Sequence, residues 1–192
     1  MKDFIYNQKE CADARYGLRS SAQVGCGWVA VWNALKILGY STDKAALIRY
    51  FTWMLPGIHG NLGTAFWAPE RCFRQWGFPT KLVFDRKNFD ETLRQGDAAI
   101  LFYHWAGKSG LGAHFAALER TPAGIIGYNT YRDSRGPDSW GESLEEFIRS
   151  RGYFGCVLLE IWKKDEKNSG TENKETNGSS GNSDGSDIRL AD

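Results

Sequence analysis

The hydrophobic pattern of this chain changes close to Gly77. Before that point apolar residues recur at helical spacing; after it, short apolar runs bounded by glycine and proline are typical of strands. The helices predicted are 29–39, 42–53, 65–76, 87–95 and 143–151, and the strands predicted are 80–84, 98–105, 113–120, 124–129 and 155–162. Because helices come first and antiparallel strands follow, the pattern predicts an α+β fold, with N-terminal helices packed on a C-terminal antiparallel sheet.

A change in composition near Lys163 predicts the domain boundary. The chain has 192 residues, 42% hydrophobic and 14% aromatic, which is enough for one domain with a substantial core. From Lys164 to Asp192 there is no aromatic residue, and most residues are small or polar. Such a segment buries too little apolar surface to offset its chain entropy. The sequence therefore predicts one domain over 1–163 and a disordered polar tail over 164–192.

Charge and hydropathy exclude several classes of partner. The formal net charge of +1 gives no reason to expect nucleic acid or an anionic membrane as partner. No stretch approaches 18 uncharged apolar residues, so no membrane span is expected. Residues 1–7 lack the pattern of a signal peptide, which favours a cytoplasmic location and reduced thiols at all four cysteines. The cysteines form no C-x-x-C pair and the histidines show no ligand spacing, so neither a metal nor another cofactor is expected.

Cys26 stands at the start of the first helical pattern, in the run Gln-Val-Gly-Cys-Gly-Trp over 23–28. The unpaired N–H groups and the positive dipole end of a helix N-terminus favour a thiolate and lower the thiol pKa. The flanking glycines leave room for a substrate carbonyl to approach the backbone. A free cysteine is more often a buried structural residue, so the run alone leaves both a nucleophile and a structural cysteine open.

Three histidines could serve as the base that a thiol nucleophile needs. His59 lies in a glycine-rich loop, 56–63, and His104 lies in the middle of an apolar strand, where a packed side chain is typical. His114 is predicted to open a strand directly after the loop 107–112. A residue at the mouth of a strand can face a cleft, so His114 is the expected base.

The imidazole in turn needs an orienting group, and Asn129 is the expected one. It ends the strand that the sequence pairs with the His114 strand, so the two residues are predicted to lie nearly opposite each other. The side-chain amide oxygen of Asn129 could then accept the ring N–H. Asp133 is the alternative, and a plain turn residue is the other interpretation of Asn129.

The negative oxygen that forms during acyl transfer needs hydrogen-bond donors. The main-chain N–H of Cys26 is one candidate, and the side-chain amide of Gln23 is a second. An ordinary loop glutamine is the other interpretation of Gln23, and Gln8 is the alternative donor.

At this point the chain resembles papain-like cysteine peptidases, in particular bacterial members similar to the double-glycine, bacteriocin-processing peptidases. In that family a Cys-Gly pair opens the first helix, a glycine precedes the histidine of a strand, and an Asn or Asp follows the next strand. The matching segments are 23–39, Gly112-Ala113-His114-Phe115 with the strand that follows, and Tyr128-Asn129, within a layout covering roughly 20–163. The resemblance implies a papain-like fold and gives each site residue a role: Cys26 nucleophile, His114 base and acid, Asn129 orienting residue, Gln23 oxyanion donor.

Two classes of function follow from these residues. The first is a thiol-dependent peptidase that hydrolyses a peptide or amide bond of a peptide or protein through a Cys26 acyl-enzyme. The same residues could pass the acyl group to an amine, as in an acyltransferase or transpeptidase. The second class is a catalytically silent binding module, with the aromatic residues between Trp53 and Phe78 lining a groove. Their helical spacing favours a place in the core, and the oligomeric state stays open.

Overall fold

A six-stranded antiparallel sheet forms the centre of the fold in the computed structural model, which describes residues 3–53, 63–107, 110–131, 133–164 and 186–187. The strands of the chain are β1 (Arg15–Tyr16), β2 (Arg19–Ser20), β3 (Tyr40–Ser41), β4 (Thr80–Val83), β5 (Ala98–Gly107), β6 (Gly110–Thr121), β7 (Gly124–Tyr128), β8 (Asp138–Ser139), β9 (Phe154–Ile161) and β10 (Ser186–Asp187). The order in the large sheet is β4-β9-β5-β6-β7-β8, and every neighbouring pair runs antiparallel.

Helices cover both faces of this sheet. They are α1 (Ser21–Val24), α2 (Cys26–Leu38), α3 (Lys44–Trp53), α4 (Ala68–Gln75), α5 (Phe89–Gln95) and α6 (Leu144–Arg151). Side chains alternate along each strand, so Ile100 and Phe115 pack in a core with α2, α3 and α4. Their neighbours Leu101 and Ala116 pack in a second core with α5 and α6. The predicted α+β fold is therefore confirmed, with helices on two faces of the sheet.

The longest helix, α2, lies across the sheet and packs against β5 and β6. Every residue of α2 except Cys26 and Lys36 is buried, which fixes the helix in place over its whole length. It ends at Gly39, whose left-handed backbone (φ 89°) lets its N–H bond the carbonyl of Leu35, a conformation that glycine adopts without strain. The Cys26 end is thus the beginning of a rigid, buried element.

Two predicted boundaries near the site are wrong. The helix predicted to begin at Ala65 begins at Ala68, with Pro69 in its first turn, where the fixed φ of proline suits a helix start. His114 does not open a strand, because β6 already begins at Gly110 and its glycines pair with β5 as far as Gly107. Glycine is suited to this stretch, since a Cβ at Gly112 would overlap the Trp105 ring.

The predicted tail makes two contacts that the sequence did not suggest. The Lys164 ammonium lies 4.7 Å from the centre of the Phe78 ring, and β10 pairs in parallel with β3. Residues 165–185 and 188–192 lie outside the described residues, so for them disorder stays a prediction. Across the described ranges, no helix is long and apolar enough to cross a lipid bilayer.

Candidate functional site

Cys26 is the first residue of α2, and no side chain caps this end of the helix. The N-cap is Gly25, which has no side chain to accept a hydrogen bond from the first turn. The first N–H groups of a helix have no partner within the helix. The main-chain N–H groups of Cys26 and Gly27 instead face the Cys26 sulfur, together with the N–H of Phe115 on β6. The sulfur therefore lies where α2 meets β6.

Burial controls the charge state of this thiol in the resting protein. Cys26 is half-buried as a residue, and loss of water around the sulfur raises the thiol pKa to about 11, although the three N–H groups lower it. The low pKa expected from the helix N-terminus is therefore wrong for this state. Desolvation disfavours the charged form more than three main-chain dipoles favour it.

The imidazole of His114 is held by the main chain of Asn129. The ring Nε2 lies 2.5 Å from the Asn129 carbonyl oxygen. A carbonyl can only accept, so Nε2 carries the proton in the neutral ring and Nδ1 is left as the proton acceptor. Burial lowers the pKa of His114, which favours this neutral form near pH 7.

The structure brings the predicted nucleophile and base to one stretch of β6. The N–H that faces the Cys26 sulfur belongs to Phe115, the residue that directly follows His114. Tyr103 lies across from His114 in the β5–β6 pairing, and its ring is 5.8 Å from the imidazole, edge to face. The charge of a Cys26 thiolate would raise the pKa of Tyr103 further. Tyr103 is therefore close to His114 and within electrostatic reach of the Cys26 sulfur.

Asn129 contacts His114, but not through the predicted atom. The β6–β7 ladder ends at Ala117 and Tyr128, so Asn129 does not pair with His114 in the sheet. The imidazole reaches its carbonyl oxygen instead, and the side-chain oxygen of Asn129 accepts the main-chain N–H of Gln8 at 2.8 Å. Asn129 is 2% exposed and has a left-handed backbone with φ 58°.

The two glutamines considered as oxyanion donors differ in their surroundings. The amide of Gln8 donates to the Ala22 carbonyl at 3.0 Å, and its oxygen accepts from Asn129 at 3.4 Å. Gln23 lies in α1, one turn before Cys26, and its side chain is exposed. Gln8 is thus engaged on both atoms of its amide, whereas Gln23 faces solvent beside the helix start.

Gly25 and Gly27 are required by packing. A Cβ on Gly25 would lie 2.6 Å from the Ser21 carbonyl, and the φ of Gly25 is an ordinary −83°. A Cβ on Gly27 would overlap the Thr64 side chain. Thr64 hydrogen-bonds the buried Tyr16 hydroxyl at 2.8 Å. The segment that carries Thr64 therefore lies directly on the start of α2.

The other candidates named from the sequence lie elsewhere or are not described. His104 is packed between aromatic rings, 4.8 Å from Phe102 and 5.7 Å from Phe154. Asp133 is exposed, and the His114 ring bonds Asn129 rather than Asp133. His59 lies within 54–62, outside the described residues.

Sequence reasoning missed the part that Tyr16, Thr64 and Tyr103 play in building this site. Thr64 directly precedes the predicted helix 65–76, where a threonine is also typical of a helix cap. Tyr103 lies in an apolar strand, and only the strand pairing shows that it faces His114. The one signal available in the sequence was Gly27, because a glycine inside the first turn of a helix suggests a close neighbour.

Neither a metal centre nor a known family identifies the site. Within the described residues, no group of three or more His, Cys, Asp or Glu side chains could hold a metal ion, and the four cysteines are free thiols. No protein-family model matches the chain, and no curated protein matches it significantly in sequence.

Proposed function

We propose that this protein is a thiol-dependent peptidase of papain-like fold, which hydrolyses a peptide or amide bond through an acyl-enzyme on Cys26. The observation that carries the proposal is the arrangement at β6. The Phe115 N–H faces the Cys26 sulfur, and the preceding His114 has its Nε2 bonded to the Asn129 carbonyl. This leaves Nδ1 of His114 as the free basic atom, on the residue next to the main-chain N–H that faces the thiol.

A neutral thiol and a neutral imidazole are a competent starting pair for general-base catalysis. In the proposed first step, Nδ1 of His114 takes the thiol proton while the sulfur bonds the substrate carbonyl carbon. The carbonyl π electrons move to oxygen, and the protonated ring keeps its bond to the Asn129 carbonyl. The high resting pKa of Cys26 then requires proton transfer and attack to be concerted.

The negative oxygen would be held by the main-chain N–H of Cys26 and the side-chain amide of Gln23. An uncapped helix start supplies the first donor, and Gln23 is free to turn toward it because it is exposed. When the intermediate collapses, the C–N bond breaks and His114 gives its proton to the leaving nitrogen. Water activated by His114 then cleaves the thioester and regenerates the thiol.

The same residues support transfer of the acyl group to an amine. Water at the thioester gives hydrolysis, and an amine there gives acyl transfer. The substrate proposed is a peptide or protein, and a cytoplasmic location is proposed with it. A catalytically silent binding module is the second candidate function. The pKa of the Cys26 thiol is raised and the pKa of His114 is lowered, so both groups are neutral at rest. A resting site without a thiolate–imidazolium pair favours this second candidate.

A peptidyl vinyl sulfone tests the proposal, since the sulfur of a thiol that a base deprotonates adds to its double bond far faster than the sulfur of a neutral thiol. We expect peptide mapping by mass spectrometry to find the adduct on Cys26, because Cys11, Cys72 and Cys156 are all buried. Hydrolysis of a mixed peptide library should stop when Cys26 is fully modified. A folded protein that leaves Cys26 unmodified after long incubation would support the binding module instead.

The reaction of Cys26 with iodoacetamide should depend steeply on pH. Because the pKa of the thiol is raised to about 11, the thiolate fraction rises roughly tenfold per pH unit below that value, and alkylation follows the thiolate. We expect the rate to climb from pH 7 to pH 10 without a plateau. A rate that is already constant above pH 6 would show a thiolate–imidazolium pair at rest and contradict the neutral pair.

A further inference from the structure

The N-terminal strap, residues 3–11, is bonded at Asp3 and Ile5 to the helix that carries the cysteine. Both amide atoms of Asn33 on α2 bond the main chain of Ile5, at 2.9 Å to its N–H and 2.8 Å to its carbonyl. The indole N–H of Trp32 donates to the Asp3 carbonyl at 2.7 Å. Asn33 is fully buried, so these bonds are shielded from water, which makes them costly to break.

The strap also packs against the strand that leads to Asn129. The Phe4 ring stacks on Tyr128 with ring centres 4.3 Å apart and an angle of 19°. Tyr128 is the last residue of β7 and directly precedes Asn129. The strap therefore contacts both the helix that carries Cys26 and the strand that positions the partner of His114.

Gln8 joins the segment just before Cys26 to Asn129 by three hydrogen bonds. Its side-chain N–H donates to the Ala22 carbonyl at 3.0 Å, in the short helix just before Cys26. On the other side, its main-chain N–H donates to the Asn129 side-chain oxygen at 2.8 Å, and its own side-chain oxygen accepts from the Asn129 amide at 3.4 Å. One residue thus spans from the cysteine segment to the asparagine.

The backbone of Asn129 needs such support. The left-handed conformation brings the Cβ of an ordinary L residue close to its backbone, and asparagine is one of the few residues other than glycine that adopt it. At φ 58° the carbonyl of Asn129 points at Nε2 of His114. The side-chain oxygen of Asn129 accepts from Gln8.

We propose that Gln8 is a positioning residue, which orients the His114 imidazole toward Cys26 by holding the Asn129 main-chain carbonyl in its left-handed conformation. Asn129 then orients the ring through its backbone, and its side chain serves to fix that backbone. The strap also sets the distance between the cysteine segment and the histidine strand. The catalytic meaning of this arrangement rests on the proposed function, whereas the arrangement itself can be tested without turnover.

The test compares three full-length variants with the unmodified protein. Gln8→Met keeps the length of the side chain and its main-chain N–H, but removes both side-chain bonds. Gln8→Glu keeps an acceptor for the Asn129 amide and loses the donor to Ala22. Gln75→Met is the matched control, since Gln75 lies at the end of α4 and its amide bonds the Tyr50 hydroxyl, far along the chain from the strap.

Two measurements are made on each variant. Nitrogen NMR of the histidine ring reports which nitrogen of His114 carries the proton, and the rate at which a vinyl sulfone alkylates Cys26 reports the alignment of the two residues. We expect the unmodified protein and Gln75→Met to show only the Nε2–H form at pH 8. Gln8→Met should show a mixture of the two tautomers, and its Cys26 should be alkylated at least tenfold more slowly, with Gln8→Glu between them.

The two measurements separate the positioning role of Gln8 from the proposed function. A Gln8→Met protein with the normal tautomer and the normal alkylation rate would overturn the positioning role, and Gln8→Glu decides the question if Gln8→Met fails to fold. Should Cys26 resist the vinyl sulfone in every protein, including the unmodified one, the proposed function fails. The tautomer of His114 would still show whether Gln8 holds the ring.

Discussion

Replacing His114 by alanine is expected to slow the alkylation of Cys26 by a vinyl sulfone by roughly 10²- to 10⁴-fold, the usual contribution of a positioned general base. The thiol pKa of about 11 makes the loss large, because little thiolate exists at pH 7 without a group to take the proton. The measurement is the second-order rate at pH 7, followed by mass spectrometry, with Cys26→Ala as the unreactive blank.

His104→Ala is the matched control for this experiment. His104 contacts Phe102 and Phe154. It lies on β5, the strand that pairs with the His114 strand. Its loss should lower the thermal midpoint by removing ring contacts, and the rate at which the vinyl sulfone alkylates the folded fraction should stay within a few fold of normal. Equal loss of rate in both variants would contradict His114 as the base.

The order of helices and strands was predictable because each element has a strong local pattern. The apolar run before Gly39 is nearly continuous, and α2 is buried on almost every side. The strand patterns around Ile100 and Leu118 became the central pair of the sheet. Where local signals conflicted, as at Thr64 and Pro69, proline decided the start of the helix.

The partners of the site residues could not be predicted, because they depend on contacts between distant parts of the chain. Gln8 and Asn129 are separated by 121 positions, and neither residue type shows a pattern that pairs them. The sequence led to His114 and Asn129 as neighbours through an expected hairpin register. The actual contact uses a backbone carbonyl, and its direction depends on a φ angle that no sequence pattern specified.

The charge state of Cys26 could not be predicted from the sequence either. A helix N-terminus is visible in the sequence, and it lowers a thiol pKa. How much water remains around the sulfur depends on β6 and on the segment carrying Thr64, which pack against the same turn of α2. The net shift is therefore a property of the packed structure.

A buried carboxyl far from this site should make the stability of the fold depend on pH. Glu160 lies on β9 with no exposed surface, and neither side-chain oxygen has a hydrogen-bond partner among the described residues. Gly96 lies against the carboxyl, where a Cβ would overlap it. Burial raises the pKa of Glu160 to about 7, although the N–H of Gly96 and the charge of Lys81 lower it.

The sign of the effect follows from the two states of the chain. Below pH 4.5 the carboxyl is protonated in both the folded and unfolded protein, so it has no differential effect. Between about pH 4.5 and pH 7 the unfolded chain ionises while the folded protein keeps its proton, and stability falls. Above pH 7 the folded protein holds a buried charge, at a cost of up to about 3 kcal/mol.

Glu160→Gln should remove this dependence, because an amide of similar size stays neutral at every pH. We expect urea unfolding to give similar free energies for the variant and the unmodified protein at pH 4.5. At pH 8 the variant should be more stable by about 2–3 kcal/mol, with most of the change between pH 5 and pH 7. The control is Glu91, which is exposed on α5. Glu91→Gln should change the free energy of unfolding by the same amount at pH 4.5 and at pH 8. If Glu160→Gln gives the same difference from the unmodified protein at pH 4.5 and pH 8, the fold does not hold the carboxyl neutral.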